Sequence, residues 1–204
     1  MQKSFPITMK DVAELAKVSV STVSHTINKT RFVSDVTRQR VLRAMAELGY
    51  HPNIIAQSLR RKRTNTVGLI ISDITNPFFP EVVRGVEKQL IRAGYSIILA
   101  NTDDDTEKER ELVTLLYGKR VDGLIIVPSG RENKHIKFLV QQNVPVVLLD
   151  RKVEGLEVDT VLVDNCGGTK RLTEYLISLG HKRVGIIAGD INISTGRERL
   201  DGYV

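Results

Sequence analysis

The residues best suited to chemistry in this sequence are short hydrogen-bonding side chains that recur at helical spacing near the N-terminus. Ser21, His25 and Asn28 are separated by four and three positions, with Ser24 on their flank. At about 100° per residue they share one side of a helix. Hydroxyl, imidazole and amide groups without a carboxylate form a surface that can enter the major groove of DNA. An ordinary helical hairpin with a polar outer face would show the same pattern.

Three helices are predicted to position these side chains. Thr8 and Asp11 have the spacing of a capping box at the start of the first helix. Ser19 can cap a second helix after a tight turn, and Ser34 can cap a third. The sides predicted to pack inward carry Val12, Ala13, Leu15 and Ala16, then Val20, Val23 and Ile27, then Val41, Met45 and Leu48. The sequence therefore predicts a small helix-turn-helix domain over residues 1–50.

The positive charge of the chain is concentrated beside this predicted domain. Residues 1–63 hold twelve Lys or Arg and four Asp or Glu, a formal charge of +8, whereas residues 64–204 carry −2. A basic segment attached to a nearly neutral body is typical of proteins that bind the phosphates of nucleic acids. A solvated basic face is the alternative.

The composition narrows the class of protein. The first nine residues lack the apolar core of a signal peptide, and no apolar run is long enough to span a membrane. The single cysteine, Cys166, cannot form an intrachain disulfide, so the cytoplasm is the expected location. The four histidines have no zinc-ligand spacing, and neither a metal nor another cofactor is predicted.

From residue 66 onward the pattern predicts an α/β domain. Continuous apolar, β-branched runs occupy residues 67–72, 95–101, 121–127, 144–150, 160–164 and 183–189. Most of these runs are separated by stretches with helical spacing. Strands that are apolar on both faces and alternate with helices indicate a parallel, doubly wound sheet.

Polar residues follow five of these runs, where a doubly wound sheet binds its ligands. They are Asp73 and Asn76, Asn101 to Asp103, Ser129, Asp150 and Arg151, and Asp164 and Asn165. Five such clusters at one edge predict a polar pocket, although each cluster alone is more often a helix cap or a turn. Phe78 and Phe79 can stack on an apolar face of a small ligand, or they can belong to the core.

The N-terminal segment closely resembles the DNA-binding headpiece of the lactose-repressor (LacI) family of bacterial transcription regulators. The strings KDVAELAKVSVSTVSHTINKTRFVS, TRQRVLRAMAELGYHPN and AQSL carry the resemblance, which is greatest to purine and ribose repressors. It implies that Val20, Ser21 and His25 read bases in the major groove. Thr22 and Ser24 are then expected to bind phosphate.

The same resemblance implies a hinge helix within residues 51–66. Pro52 can open a short helix, but few apolar side chains are available to hold it. In the family, this helix folds on operator DNA and inserts a leucine into the minor groove. Leu59 holds that place here, and Arg60 is expected to contact a flanking phosphate. A basic interdomain linker is the alternative.

Residues 67–204 resemble the periplasmic-binding-protein-like effector domain of the same family. The strings TNPFF, LLDR and GRER are similar to ribose-binding sequences. The candidate sugar contacts that follow are Asn76, Phe78, Phe79, Asp150, Arg151 and Arg197. The first subdomain is expected to extend to about residue 161, with the start of a second after it. Members of the family are usually much longer, so the domain is expected to be incomplete at its C-terminal end.

The resulting hypothesis is a homodimeric repressor that reads a near-palindromic operator and responds to a small effector, such as ribose. A purine-type repressor that needs a corepressor is the first alternative. An enzyme is disfavoured because no GxGxxG or GxxxxGK[ST] string follows any predicted strand. A nonspecific architectural DNA binder would not require the attached ligand domain.

Overall fold

The computed structural model describes residues 7–52, 58, 63–130 and 133–204. The chain divides into two compact units, Met1–Arg60 and Arg61–Val204. Each unit has its own hydrophobic core. No helix within the described ranges combines the length and the apolar character that crossing a membrane requires.

The N-terminal unit contains helices α1 (Met9–Leu15), α2 (Val20–Asn28) and α3 (Asp35–Leu48). All three predicted caps are present: Asp11 Oδ2 accepts from Thr8 N at 2.7 Å, Ser19 Oγ from Thr22 N at 3.1 Å, and Ser34 Oγ from Thr37 N at 3.4 Å. These bonds satisfy backbone N–H groups that the first turn of a helix leaves without partners.

The core of this unit forms where the three helices meet. It consists of Val12, Ala13, Ala16, Val23, Val41 and Ala44, with Ile27, Met45 and Leu48 packed against it. Two predicted core residues are wrong: Leu15 and Val20 are each 41% exposed. Leu15 is the last residue of α1 and Val20 is the first residue of α2, so both lie beside the turn that joins the two helices.

The second unit is built on a five-stranded parallel sheet. Its strands are β1 (Thr66–Ile71), β2 (Ser96–Asn101), β3 (Gly123–Ile126), β4 (Val146–Leu149) and β5 (Asp159–Val161). Their order is β2-β1-β3-β4-β5, and Val67 lies opposite both Ile97 and Gly123. This order is that of a doubly wound α/β sheet, as the apolar runs predicted.

Helices cover both faces of the sheet because the buried strand residues alternate between two clusters. Ile70 packs with residues of α5 (Thr106–Gly118) and α6 (Lys134–Gln141), whereas Leu69 and Ile71 pack with Phe79 of α4 (Phe78–Arg92). Leu69, Ile70 and Ile71 are all fully buried. β1 therefore lies at the centre of the core.

Two further helices, α7 (Asn165–Ser178) and α8 (Ser194–Tyr203), follow β5 and pack together. The predicted sixth strand at 183–189 is wrong for this structure, because none of the described strands pairs with it. A strand depends on hydrogen bonds to a neighbouring strand, and the side chain of Ile187 is fully exposed. Tyr203 Oη instead donates to Val184 O at 2.6 Å.

Candidate functional site

The outer surface of α2 presents hydroxyl groups at its N-terminal end. Val20 and Ser21 are exposed, and Thr22, Ser24 and His25 are partly exposed. Ser19 Oγ lies 2.8 Å from both Ser21 Oγ and Thr22 Oγ1. Five of the predicted DNA contacts therefore lie on one accessible surface, which we name the α2 surface: Val20, Ser21, Thr22, Ser24 and His25.

Asn28 differs from this group, and the prediction that it lies on the outer side is wrong. Its side chain is 7% exposed, and its Nδ2 donates to Ser24 O at 2.7 Å. The amide closes the last turn of α2, just before Lys29 takes a left-handed φ of 51°. Asn28 therefore shapes the end of the helix. Its burial argues against a direct contact with DNA.

The loop after α2 adds charge and an aromatic ring next to the α2 surface. Lys29, Thr30 and Arg31 are exposed, and Phe32 is 93% exposed. Thr30 Oγ1 lies 2.8 Å from Nδ1 of His25 and joins the loop to the helix. The spacing of five residues across a helix end gave no sequence signal for this contact. Leu59 and Arg60, the predicted hinge contacts, lie outside the described residues.

At the carboxyl edge of the sheet, most of the predicted polar residues form turns and caps. Asp73 Oδ1 accepts from Thr75 Oγ1 at 2.7 Å, and this bond holds the pKa of Asp73 below its ordinary value. Asn76 Oδ1 accepts from Phe78 N at 3.1 Å. Asn101 Oδ1 accepts from Ile74 N at 2.9 Å. These bonds shape the rim of the sheet. For these residues the alternative prediction, that they form turns and caps, is therefore correct.

The two aromatic candidates have different environments. Phe79 is 2% exposed and packs with Leu69, Ile71 and Val127, so the core alternative is correct for it. Phe78 is 40% exposed and meets Phe79 edge-on, with ring centroids 5.2 Å apart. Of the pair, only Phe78 retains a surface that a ligand can stack against.

Arg151 is the most enclosed cation at this edge. Its side chain is 8% exposed, and its Nη1 donates to Asp104 Oδ1 at 2.6 Å and to Pro128 O at 2.9 Å. Its Nη2 donates to Ser72 Oγ at 3.3 Å. Among the described residues its buried Nε has no hydrogen-bond partner, and Asp150 Oδ2 lies 3.9 Å away.

Asp150, directly before Arg151, is 9% exposed. Burial raises the pKa of its carboxyl above the ordinary value, against the opposing attraction of Arg151. The neighbouring arginine therefore compensates only part of the cost of burying this charge.

A cavity of about 320 Å³ lies beside Arg151. Its described lining residues are Pro128, Gly130, Asn133, Arg151, Lys152, Val153, Glu154, Asn192, Ile193, Ser194, Arg197 and Glu198. Of the six predicted effector contacts, Arg151 and Arg197 are lining residues, and Asn76, Phe78, Phe79 and Asp150 are not. This volume suits a small ligand such as a monosaccharide or a nucleobase.

Crossed ion pairs join the two sides of this cavity. Arg197 Nη1 lies 2.9 Å from Glu154 Oε1, and Lys152 Nζ lies 3.4 Å from Glu198 Oε1. Lys152 N also donates to Ser194 Oγ at 3.0 Å. Arg197, one of the six predicted sugar contacts, is therefore paired with a carboxylate of the protein itself.

One buried network was missed at the sequence level. Glu109 is fully buried, accepts from Ser129 N at 2.6 Å, and lies 2.5 Å from His135 Nε2. The sequence held a signal for it, because Glu109, Val113 and Leu116 are four and three residues apart on the buried face of α5.

Comparison with known proteins assigns both units to one family. Residues 8–53 match the family described as bacterial regulatory proteins, lacI family. Residues 64–204 match the periplasmic binding proteins and sugar binding domain of the LacI family. The chain belongs to the LacI family.

Two curated relatives of this chain are a purine-type and a ribose operon repressor. The PurR repressor of Photobacterium profundum is 40% identical over 197 residues, which cover 96% of this chain and 59% of the relative. The ribose operon repressor of Haemophilus influenzae is also 40% identical, with the same coverage of both chains. This chain thus spans about three fifths of the length of these LacI-family proteins.

Solved structures of the LacI family match as well. The lac repressor dimer bound to operator and an anti-inducer is 31% identical, with a TM-score of 0.83 over 98% of this chain and 61% of that one. A ribose operon repressor from Burkholderia thailandensis, itself assigned provisionally, is 43% identical, with a TM-score of 0.66 over 69% of this chain and 54% of that one.

Proposed function

We propose that the protein is a sequence-specific DNA-binding transcriptional repressor. The single observation that carries this proposal is the α2 surface, which presents hydroxyl groups and an imidazole within a segment of charge +8. Short donors and acceptors of this kind can read base edges, and the basic residues around them can hold phosphates. The relatives named above are repressors, and no catalytic role is part of the proposal.

The proposed binding site is a near-palindromic operator bound by a homodimer in the cytoplasm. A two-fold dimer places two copies of α2 on opposite halves of such a site. The lac repressor is bound to its operator as a dimer, which supports this arrangement. Residues 51–66 are proposed as the hinge, with Leu59 as the minor-groove wedge and Arg60 as a phosphate contact.

The experiment is selection of a binding site from a randomised DNA pool by the intact protein. The selected site and a scrambled version are then titrated at the same salt concentration. We expect the selected site to be palindromic and to bind at least about 1,000-fold more tightly. Equal affinity for the two duplexes would overturn the proposal and favour a nonspecific binder.

We further propose that a small effector binds in the cavity beside Arg151 and controls DNA affinity. The polar lining of the cavity supports a polar ligand, because Arg151, Ser194 and Arg197 carry hydrogen-bonding groups. Ribose is the first candidate, and a purine corepressor is the second, since both kinds of repressor are relatives of this chain.

A thermal-shift titration with ribose, other pentoses, hexoses and purines distinguishes these candidates. A ligand that binds the folded protein raises its unfolding temperature. At concentrations above the dissociation constant, this rise grows with the logarithm of the ligand concentration. Arg151→Met, which removes the guanidinium and keeps the length of the side chain, should abolish the shift. A shift that survives in this variant would place the ligand elsewhere.

A further inference from the structure

The bond between His25 and Thr30 links the α2 surface to the loop that follows it. Nδ1 of His25 and Oγ1 of Thr30 are 2.8 Å apart. The helix ends at Asn28, and Lys29 turns the backbone through the left-handed region. The bond therefore spans the end of α2 and is not part of the regular i to i+4 pattern of the helix.

This contact decides which ring nitrogen of His25 is left for DNA. A neutral imidazole carries one proton, and a partner at one nitrogen determines which nitrogen bears it. If the Thr30 hydroxyl donates to Nδ1, the proton lies on Nε2. Nε2–H is then a donor, and N7 of a purine is an acceptor on the major-groove edge of its base pair.

The environment of Thr30 limits any effect on folding. The residue is exposed, so water can replace its bond if the hydroxyl is removed. The net contribution of such a bond to stability is small. The core of the N-terminal unit includes neither His25 nor Thr30. Loss of the hydroxyl should therefore alter the ring of His25 and leave the three-helix fold unchanged.

We infer that Thr30 is a positioning residue for DNA recognition: its hydroxyl donates to Nδ1 of His25 and holds Nε2–H toward a purine in the major groove. The inference rests on the proposed function. It identifies a determinant of base preference outside α2 itself. One base position in each half-site then depends on a side chain that does not touch that base.

The test compares Thr30→Val, which keeps the shape and loses the hydroxyl, with Thr30→Ser, which keeps the hydroxyl. Both are made in the full chain and titrated against the selected operator and its single-base variants. We expect Thr30→Val to weaken operator binding about tenfold and to relax preference at one base position per half-site. Thr30→Ser should restore both. His25→Ala should weaken binding similarly, and adding Thr30→Val to it should cause no further loss.

The ¹⁵N chemical shifts of the His25 ring give a readout that a merely structural role would not change. Wild type and Thr30→Ser should show the tautomer protonated at Nε2, and Thr30→Val should show a mixture. A wild-type ring protonated at Nδ1 overturns the inference, and this holds even if Thr30→Val does not fold. The inference is also overturned if Thr30→Val folds and keeps the operator affinity and base preference of the wild type. The proposed function would not be affected by that result. If wild type prefers no sequence, both fail.

Discussion

Glu109 is a carboxylate enclosed by the core of the second unit, and it holds two different segments there. It accepts from the backbone of Ser129 and lies against His135 at the start of α6. We expect Glu109→Ala to lower the free energy of unfolding by about 3 kcal/mol, because both partners would be left buried without an acceptor. Urea unfolding of the intact chain measures this loss.

Glu107, two residues earlier on the same helix, is the matched control. Its side chain is 73% exposed and pairs with Arg110 at 2.6 Å. Exposed pairs of this kind contribute little, so Glu107→Ala should cost less than about 1 kcal/mol. Equal losses in the two variants would contradict the structural role assigned to Glu109.

Asp150 gives the second unit a pH-dependent stability. Burial raises the pKa of its carboxyl above 3.8, so the ionised form is disfavoured in the folded chain. The resulting loss of folding stability is absent at low pH, where the carboxyl is protonated in both the folded and the unfolded chain. It grows as the pH rises from the ordinary value through the folded pKa, and it persists at neutral pH.

Asp150→Asn removes this ionisation and suits the left-handed φ of 65° at that position. We therefore expect the stability of the variant relative to wild type to increase from acid to neutral pH. Urea titrations at several pH values between about 3.5 and about 7 measure this difference. Two parallel stability curves would show that the carboxyl has the same pKa in the folded and unfolded chains.

Residue roles were predictable where helical spacing alone decides exposure. Ser21 is exposed as expected, because its position on α2 faces away from α1 and α3. Asn28 has the same spacing but lies at the helix end, where its amide bonds to the backbone of Ser24 instead. Phe78 and Phe79 have the same chemistry, and only the packing of α4 on the sheet decides which ring is buried.

At the scale of elements, α7 and α8 depend on a close approach that only glycine permits. A Cβ at Gly202 of α8 would lie 2.1 Å from Cys166 O of α7, whereas one at Gly168 of α7 would meet nothing within 4 Å. We expect Gly202→Ala to destabilise this helix pair by about 1–3 kcal/mol through overpacking. Gly168→Ala should stabilise it by about 0.5–1 kcal/mol, because alanine is the better helix former.

Amide hydrogen exchange in the two helices measures both effects. Faster exchange across α7 and α8 is expected for Gly202→Ala, and slower exchange for Gly168→Ala. The two variants make the same chemical change, so a similar response in both would mean that the helices do not approach each other as closely as the structure shows.

Five of the six predicted strands formed because their apolar runs pair with one another in a single sheet. The run at 183–189 has the same composition, yet among the described strands it has no neighbour to pair with. An apolar run therefore predicts the capacity to form a strand, and its partners decide whether the strand exists. The helix caps were predictable because the side chains of Thr8, Ser19 and Ser34 accept from backbone groups two or three positions away.

At the scale of the whole molecule, the positive charge lies in the segment that carries the α2 surface. Residues 1–63 carry +8 and the rest −2. Each phosphate that a lysine or arginine neutralises releases counterions, so affinity falls with salt in proportion to the number of phosphate contacts. We therefore expect the position of a positive charge in the chain, and not the net charge of the whole chain, to decide how much that charge affects DNA affinity.

Two double variants with the same change of net charge test this expectation. Lys29→Gln with Arg31→Gln removes two exposed cations from the loop after α2, and Lys137→Gln with Lys182→Gln removes two exposed cations from the second unit. The slope of log affinity against log salt concentration should become shallower by about 1 for each loop cation that contacts a phosphate. It should not change in the second variant, because those lysines belong to the unit that is not proposed to contact phosphates. Equal changes of slope would mean that DNA responds to the net charge of the whole chain, and the assignment of phosphate contacts to the N-terminal unit would then be wrong.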